Sequence, residues 1–580
     1  MIDELELLQR ILPTRQAGAR WMLALSVARA IVVELGVLAV LGALVFALQW
    51  TSGTYHSEVG GVPDEGAHFI TGLMVRDYLV ASDHRAPLRF AEEYYLHYPK
   101  VALGHWPPLL YVLSAPWMLL FAATPAAVHA LIGVLAILLG FLLYASVAAR
   151  HGKPAGFLVA ALMLSTPFVA ENAGLIMADM LVAVTSFGAA LMFARYLETE
   201  RRRDALWSGL LALLALQSKP SAVSLLAVAV LGIVLCRRWH LLKQSPLWLA
   251  ALVVFAGSAP WYLVTREMVT RGAFVQDAPS LAYAVTALGW YVPVLFRLAG
   301  PLVGIAAVAG VAARVVQPFR QGVPVQPLEA TMAGLLVGTV AVVCIVPTGY
   351  GPRLVLPAVP AVLIFATEGV VWAASTLPVL RRNVRMGAGM IAAVAVLAFL
   401  VGCYRVVPRA DFGFAAINAQ LLAPGALERP VVLLATDPTG ENMMLSDLAS
   451  REPRPGHFIL RGSKVLADQT WEGTDYKLRH RTPGELIAYL DSVPVDYMIT
   501  DGSPSEFSRP GHLDLLERTI RETPQRWREV GRFPRVRQGR TWPDALRVYE
   551  FVHAPSSRLQ IRIDLQRMLN RKLEIRKGAG

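Results

Sequence analysis

The sequence predicts a polytopic α-helical membrane bundle followed by a soluble α/β domain, and three observations carry that expectation. Of 580 residues, 55% are hydrophobic and only 17% charged, with mean hydropathy +0.48, unlike the balance of a soluble globular protein. Apolar runs of about 20 residues, each long enough to cross a hydrocarbon core, recur between residues 27 and 406. Beyond that point the texture changes to mixed polar sequence with short apolar runs. Two domains follow: 1–406 in the membrane, and 407–580 as a soluble α/β domain with a basic C-terminal tail.

The first run reads as a retained anchor. Arg10, Arg15, Arg20 and Arg29 precede Ala30–Leu48, which lacks a small-residue cleavage site and is long enough to span. The candidate spans are 27–50, 126–149, 154–172, 179–197, 205–218, 220–236, 246–265, 298–316, 330–349, 353–375 and 387–406, about 11 transmembrane helices. Two shorter stretches, Pro107–Phe121 and Leu281–Phe296, carry Pro, Trp and Tyr and read as interfacial or re-entrant helices in external loops.

With that assignment the basic clusters of the short loops all fall on one side. They are Arg150 and Lys153, Arg201 to Arg203, Arg237, Arg238 and Lys243, Arg314 and Arg320, and Arg381, Arg382 and Arg385. This is the positive-inside pattern, so the N-terminus is expected in the cytoplasm and the C-terminal domain outside. The net charge of +12 therefore orients the chain, and nucleic acid is not an expected partner. The three cysteines, Cys236, Cys344 and Cys403, lie in or beside apolar segments and offer the soluble domain no disulfide framework. One charge, Glu34, sits inside the first span without an account from sequence.

In the soluble domain, Pro430–Ala435, Val495–Ile499 and Ala545–Tyr549 read as strands, and Pro483–Leu490 and His512–Thr519 as helices between them. The mix suggests a layered, Rossmann-like sheet. Asp437 and Asp501 follow two of the strands, where such sheets bind ligands, but aspartates are common in turns. An accessory role, covering the outer cavity or binding acceptor, is the expected one. Arg558–Lys577 is basic with interspersed Leu, Ile and Met and reads either as a membrane-surface segment or as a solvated end.

The outward loops hold a consistent polar set. The run GVPDEGAHF at Gly61–Phe69 places Asp64 and Glu65 side by side just after the first span, with His68 close behind. Other loops contribute Asp179 at the start of the fourth span, Lys219-Pro220, then Arg266, Glu267 and Arg271, and finally Gly349–Pro357 with Tyr350 and Arg353. Each has a plain alternative. Asp64, after Pro63, and Asp179 fit helix N-caps, and Lys219 and Arg353 fit cations snorkelling at span ends. Their convergence on one membrane face is what points to a site.

Four segments in this order resemble the C-type, lipid-phosphosugar-dependent glycosyltransferases, the superfamily of protein O-mannosyltransferases and bacterial aminoarabinose transferases. They are the Asp64-Glu65 loop with HWPPLLYVL at His105–Leu113, ENAGLIMADMLVAVTSF at Glu171–Phe187, LALQSKPSAV at Leu214–Val223, and GPRLVLPAVPAVLI at Gly351–Ile364. The chain departs from that pattern in three places: His105-Trp106 stands where some relatives have a lysine, Lys219-Pro220 replaces Lys-Gly, and Tyr350 precedes Arg353 where the family's tyrosine follows directly.

The resemblance implies a glycosyltransferase in the bacterial cytoplasmic (inner) membrane, moving a sugar from a polyprenyl-phosphate donor to a lipid, glycan or protein acceptor on the outer face. Such transfer passes through an oxocarbenium-like centre and needs a base for the acceptor. It implies Asp64 as that base, with Glu65 orienting the loop or binding sugar hydroxyls. Arg353 first and Lys219 second would hold the leaving phosphate, with Tyr350 and His105 as further donor contacts. Asp179 and His68 would position sugar or acceptor. No Gly-rich nucleotide cradle or zinc-ligand spacing occurs in the bundle, so no cofactor or metal site is implied; a divalent cation is left open. Two other classes compete: a transporter, which would be expected to show internal repeats and mid-span charges, and a non-catalytic envelope sensor.

Overall fold

A computed structural model describes residues 29, 31–82, 86–267, 279–427, 429–469, 476–504, 510–553, 561–564 and 572–575. Arg10, Arg15, Arg20 and Arg271 lie outside the described residues, as does most of Arg558–Lys577; within that tail, Ile561–Asp564 pairs antiparallel with Lys572–Ile575.

The membrane part runs α1 (Ile31–Thr51), α2 (Glu65–Val80), α3 (Pro87–His97), α4 (Leu109–Leu120), α5 (Pro125–His151), α6 (Lys153–Ser165), α7 (Pro167–Ala173), α8 (Asp179–Thr199), α9 (Arg202–Leu216), α10 (Leu225–Leu235), α11 (Ser245–Val264), α12 (Leu281–Arg297), α13 (Pro301–Arg320), α14 (Pro327–Ile345), α15 (Val359–Thr376) and α16 (Val384–Gly402). Among the described residues eight helices are long and apolar enough to cross a membrane, nine if α6 and α7 count as one span. The difference from 11 has local causes. The run 154–172 bends by 71° at Thr166-Pro167, where Pro167 lacks an N–H and forces Thr166 into extended backbone. The runs 205–218 and 220–236 form helices of 15 and 11 residues, parted by an extended Lys219 and a 3₁₀ turn at Pro220–Ser224. The stretches expected at the interface are the short helices α4 and α12.

The helices differ in what surrounds them. α1, α11 and α16 are apolar and mostly exposed, as lipid-facing helices are, whereas α8 and the segment Pro352–Thr376 are the most enclosed spans. Enclosure requires close backbone approach: a Cβ on Gly310 of α13 would overlap the Phe365 carbonyl, and one on Gly369 of α15 the Ala306 carbonyl. Small residues at such contacts let membrane helices touch. Gly369→Ala is therefore expected to destabilise the bundle by roughly 1–3 kcal/mol through overpacking, seen as a lower melting temperature in detergent. Glu34 is explained by Lys153, whose Nζ lies 2.8 Å from it.

At the end of α5 a charged knot closes the bundle. Arg150 donates to Glu329 at 2.6 and 3.1 Å, and His151 and Arg314 meet Glu368 at 2.9 and 2.7 Å. Both carboxylates are buried.

In the soluble domain, β1 (Val431–Ala435), β2 (Phe458–Arg461), β3 (Tyr497–Asp501), β4 (Trp527–Arg537) and β5 (Arg540–Phe551) form one sheet in the order β2-β1-β3-β5-β4. β1 pairs parallel with β2 and β3, and a β4–β5 hairpin extends the sheet antiparallel from β3. The central β1, VVLLA, is buried at every position, as a strand covered on both faces must be. Helices α17 (Phe414–Leu421), α18 (Pro438–Arg451), α19 (Pro483–Ser492) and α20 (Gly511–Glu522) complete the domain. The expected strands and helices thus appear, in a mixed sheet whose parallel part is three strands wide.

This domain sits directly on the loop that carries Asp64. Glu58 accepts from the backbone amides of Gly413, Phe414 and Ala415 at the start of α17, at 2.9, 3.1 and 3.0 Å. Asp77 pairs with Arg454 at 2.6 Å, the Tyr98 hydroxyl donates to Glu452 at 2.6 Å, and Asn442 donates to the Val62 carbonyl at 2.9 Å.

Candidate active site

Asp64 stands at the head of α2 but caps nothing: its side chain accepts no amide of the first turn. Instead its Oδ2 lies 3.2 Å from Arg353 Nη2, with the carboxylate 31% exposed. Arg353 arrives on the 3₁₀ turn Pro352–Ala358, and its Nη1 is buried without a hydrogen-bond partner.

Asp179, the first residue of α8, does not cap either. Its Oδ1 lies 2.5 Å from Lys219 Nζ, so the lysine is turned inward by the break between α9 and α10. Two ion pairs, from four segments of sequence, therefore close over one spot.

His68 lies between them. Its Nδ1 is 3.0 Å from the Tyr111 hydroxyl and its ring packs on Trp106 at 4.3 Å between centroids. Burial drives its pKa down to about 4; Asp64 and Asp179 oppose this, and Lys219 and Arg353 add to it. The imidazole is neutral at physiological pH and sits inside the field of all four charges. Tyr111 lies in the HWPPLLYVL segment, which marks the stretch but gives this tyrosine no role, and its position opposite His68 brings it to the site.

Glu65 takes a different part from its neighbour. Its side chain is fully buried; Oε1 accepts from Ile176 N at 2.9 Å, and Oε2 from Gly61 N at 3.1 Å and Arg409 Nη2 at 2.8 Å. A carboxylate so enclosed and so occupied is not placed to take a proton from an acceptor. Of the roles expected for Glu65, its contacts fit orienting the loop, not catalysis or contact with sugar hydroxyls.

Tyr350 is likewise not joined to the ion pairs. It is 39% exposed and stacks on Tyr283 of α12 at 5.7 Å, beside Trp290 at 5.8 Å. The Tyr291 hydroxyl, bonded to Gly349 O at 3.0 Å and Gly351 N at 3.3 Å, fixes the loop that carries both Tyr350 and Arg353. His105 faces the soluble domain: burial and then Lys464 press its pKa down to about 4, with Asp64 acting the other way. Lys100 is 3% exposed and reaches Glu441 of α18 at 3.5 Å; burial and Arg461 bring its pKa down to about 8, against Glu441 and Asp64.

Asp437 and Asp501 are engaged inside the soluble domain. Asp437 caps α18 through Gly440 N at 2.8 Å and pairs with Arg537 at 2.8 Å; Asp501 lies 3.5 Å from both Arg535 and Arg537. Among the described residues no three His, Cys, Asp or Glu side chains come together as a metal-binding group.

Residues 105–263 match the family model described as dolichyl-phosphate-mannose-protein mannosyltransferase. No curated protein sequence matches the chain. Among solved structures, ArnT from Cupriavidus metallidurans bound to undecaprenyl phosphate superposes with TM-score 0.57 at 13% identity, over 90% of this chain and 99% of that one. The oligosaccharyltransferase of Archaeoglobus fulgidus, in complex with Zn and sulfate, superposes with TM-score 0.52 at 12% identity, over 88% of this chain and 73% of that one.

Proposed function

We propose that this chain, which has the fold of the C-type glycosyltransferases of the protein O-mannosyltransferase and aminoarabinose transferase superfamily, transfers a sugar from a polyprenyl-phosphate donor to an acceptor on the outer face of the cytoplasmic membrane. The observation that carries the reading is the uncapped Asp64 carboxylate held against Arg353 beside the Lys219–Asp179 pair. Asp64 accepts the proton of the acceptor nucleophile as the bond to the anomeric carbon forms. The bond from that carbon to the phosphate oxygen breaks, and the Arg353 guanidinium, with Nη1 still free to donate, stabilises the charge gathering on the phosphate. Lys219 is tied to Asp179 and is the second cation within reach of the same charge. The neutral His68 adds no competing charge beside the base.

A lipid-linked donor suits the surroundings. An apolar groove of about 520 Å³ between α4, α9 and α11 is lined by Leu109, Val112, Leu213, Gly257, Trp261 and Gln217, the last of these two residues before Lys219 in the chain. An isoprenoid chain lying there would bring its phosphate to the lysine. The soluble domain roofs the loop of Asp64, and in this reading it covers the outer cavity or binds the acceptor.

The reading is tested by mass spectrometry of envelope glycans in a deletion strain, complemented with the intact chain. A glycan mass should disappear on deletion and return on complementation; an unchanged glycan profile would overturn the assignment. The orientation has its own test. Reporters active on only one side of the membrane should place residues 150, 202 and 383 inside, and residue 100 and the C-terminus outside. A cytoplasmic C-terminal domain would contradict the positive-inside reading of the loops.

A further inference from the structure

We propose that Arg409, in the linker after α16, is a positioning residue that acts through Glu65 to hold Asp64 and Asp179 in one geometry, so that docking of the soluble domain completes the site. The inference rests on the proposed transfer reaction.

Glu65 joins two loops that lie far apart in sequence. It is covalently next to Asp64, and its Oε2 fixes the turn before α2 through Gly61 N. Its Oε1 accepts from Ile176 N, 111 residues on, and Ile176 precedes Asp179 by three residues in the tight segment between α7 and α8. One buried carboxylate thus anchors the turns that present both site aspartates. Anchoring both with one group makes their separation depend on where that group sits.

Arg409 decides where it sits. Its Nη2 is 2.8 Å from Glu65 Oε2, and its Nη1 donates to the Gly174 carbonyl, two residues before Ile176. The arginine therefore grips the Asp179 turn directly and the Asp64 turn through Glu65. Its own backbone is held, with N donating to Ser52 O at 2.6 Å. The residues that follow it are bound into the soluble domain's seat: Asp411 N donates to Ser57 Oγ at 3.1 Å, and the Gly413 and Phe414 amides donate to Glu58. The guanidinium reaches Glu65 only when this linker is seated. Without it, Glu65 is a buried carboxylate facing backbone amides and His129, whose Nε2 stands 4.0 Å away, and an uncompensated buried charge is strongly unfavourable. The turns then shift, and a displacement of about 1 Å in a reacting geometry costs on the order of 10²-fold in rate.

The test compares Arg409→Gln, Arg409→Lys and Glu65→Gln with Arg454→Gln. The last removes another contact between the domains, the pair with Asp77, which touches neither turn. Each variant is expressed in the deletion strain for envelope-glycan mass spectrometry, and purified into nanodiscs for amide hydrogen exchange. Arg409→Gln should lower the glycan product about 100-fold, and residues 61–66 and 174–180 should lose protection together. Arg409→Lys should recover at least a tenth of the product, and Arg454→Gln should leave both turns protected.

Protection unchanged at either turn in Arg409→Gln, or an equal loss of product in Arg454→Gln, would overturn the proposal. If Arg409→Gln does not accumulate, Glu65→Gln carries the test, because it keeps the side chain's shape while removing the charge that Arg409 holds. Asp64→Asn in the same strain separates the two levels. Product retained there overturns the transfer reading, whereas product lost there but retained in Arg409→Gln overturns the positioning role alone.

Discussion

Asp64→Asn is expected to lower sugar transfer by about 10²–10⁴-fold, the usual contribution of a general base, while expression and folding stay near normal. The structural reasons are specific. The carboxylate caps no helix, so no first-turn amide loses its acceptor. Its partner Arg353 is 28% exposed and also lies in the field of Asp179, so replacing Asp64 does not leave the arginine without a counter-charge. Asparagine keeps the planar shape, and its carbonyl oxygen still accepts from Arg353 Nη2. What disappears is the ability to take a proton. Transfer measured in nanodiscs, alongside the glycan profile of a strain carrying only this variant, decides the matter; full activity would leave Asp64 as no more than an ion-pair partner of Arg353.

Arg353→Ala is expected to weaken use of the lipid-phosphate donor more than use of the acceptor. The planar fork of a guanidinium matches phosphate oxygens, and the contact is strengthened where water is scarce. Arg353 already spends Nη2 on Asp64 and keeps Nη1 free, so one group links base and leaving phosphate. Lysine retains the charge without the fork, which makes Arg353→Lys intermediate. The measurement is transfer rate against donor concentration. Donor dependence that survives Arg353→Ala but collapses in Lys219→Ala would hand the phosphate to the lysine turn. Indifference to both would remove the leaving-group role from these cations altogether.

The apolar runs and the short strands of the soluble domain were legible because each is a continuous local signal: β1, β3 and β5 lie where the runs predict them. The break at Lys219-Pro220 was legible as the boundary between 205–218 and 220–236, but not that it leaves helices of only 15 and 11 residues. The bend at Thr166-Pro167 was not legible, since a hydropathy window averages across it although it carries a proline. The adjacency of Asp64 and Glu65 does foretell different directions, about 100° apart on a helix, and the structure turns one to Arg353 and the other to Arg409. Which partner each would meet was not readable. Arg409 is 344 residues from Glu65 and sits alone in a linker, with no motif to mark it. Tyr350 shows the converse. Its closeness to Arg353 in sequence suggested a shared ligand, but its ring belongs to the aromatic shelf of α12, which only the fold brings to it.

The charged knot at the far end of α5 has a consequence for biosynthesis. His129 and Arg150 lie on the same helix about 32 Å apart, so the knot is as remote from Glu65 as one helix allows. Arg150 is made 179 residues before Glu329. At about 5–20 residues per second, it waits roughly ten seconds or more for its carboxylate, and Glu368 emerges later still. Until then Arg150 lacks the carboxylate it is bonded to in the fold, and Glu329 of the late half in turn finds its arginine only on the early half, whereas Glu368 also has Arg314 of α13 beside it. The knot thus ties the two halves of the bundle to each other: a chain whose halves have inserted but not met leaves Arg150 and Glu329 unpaired at the membrane edge.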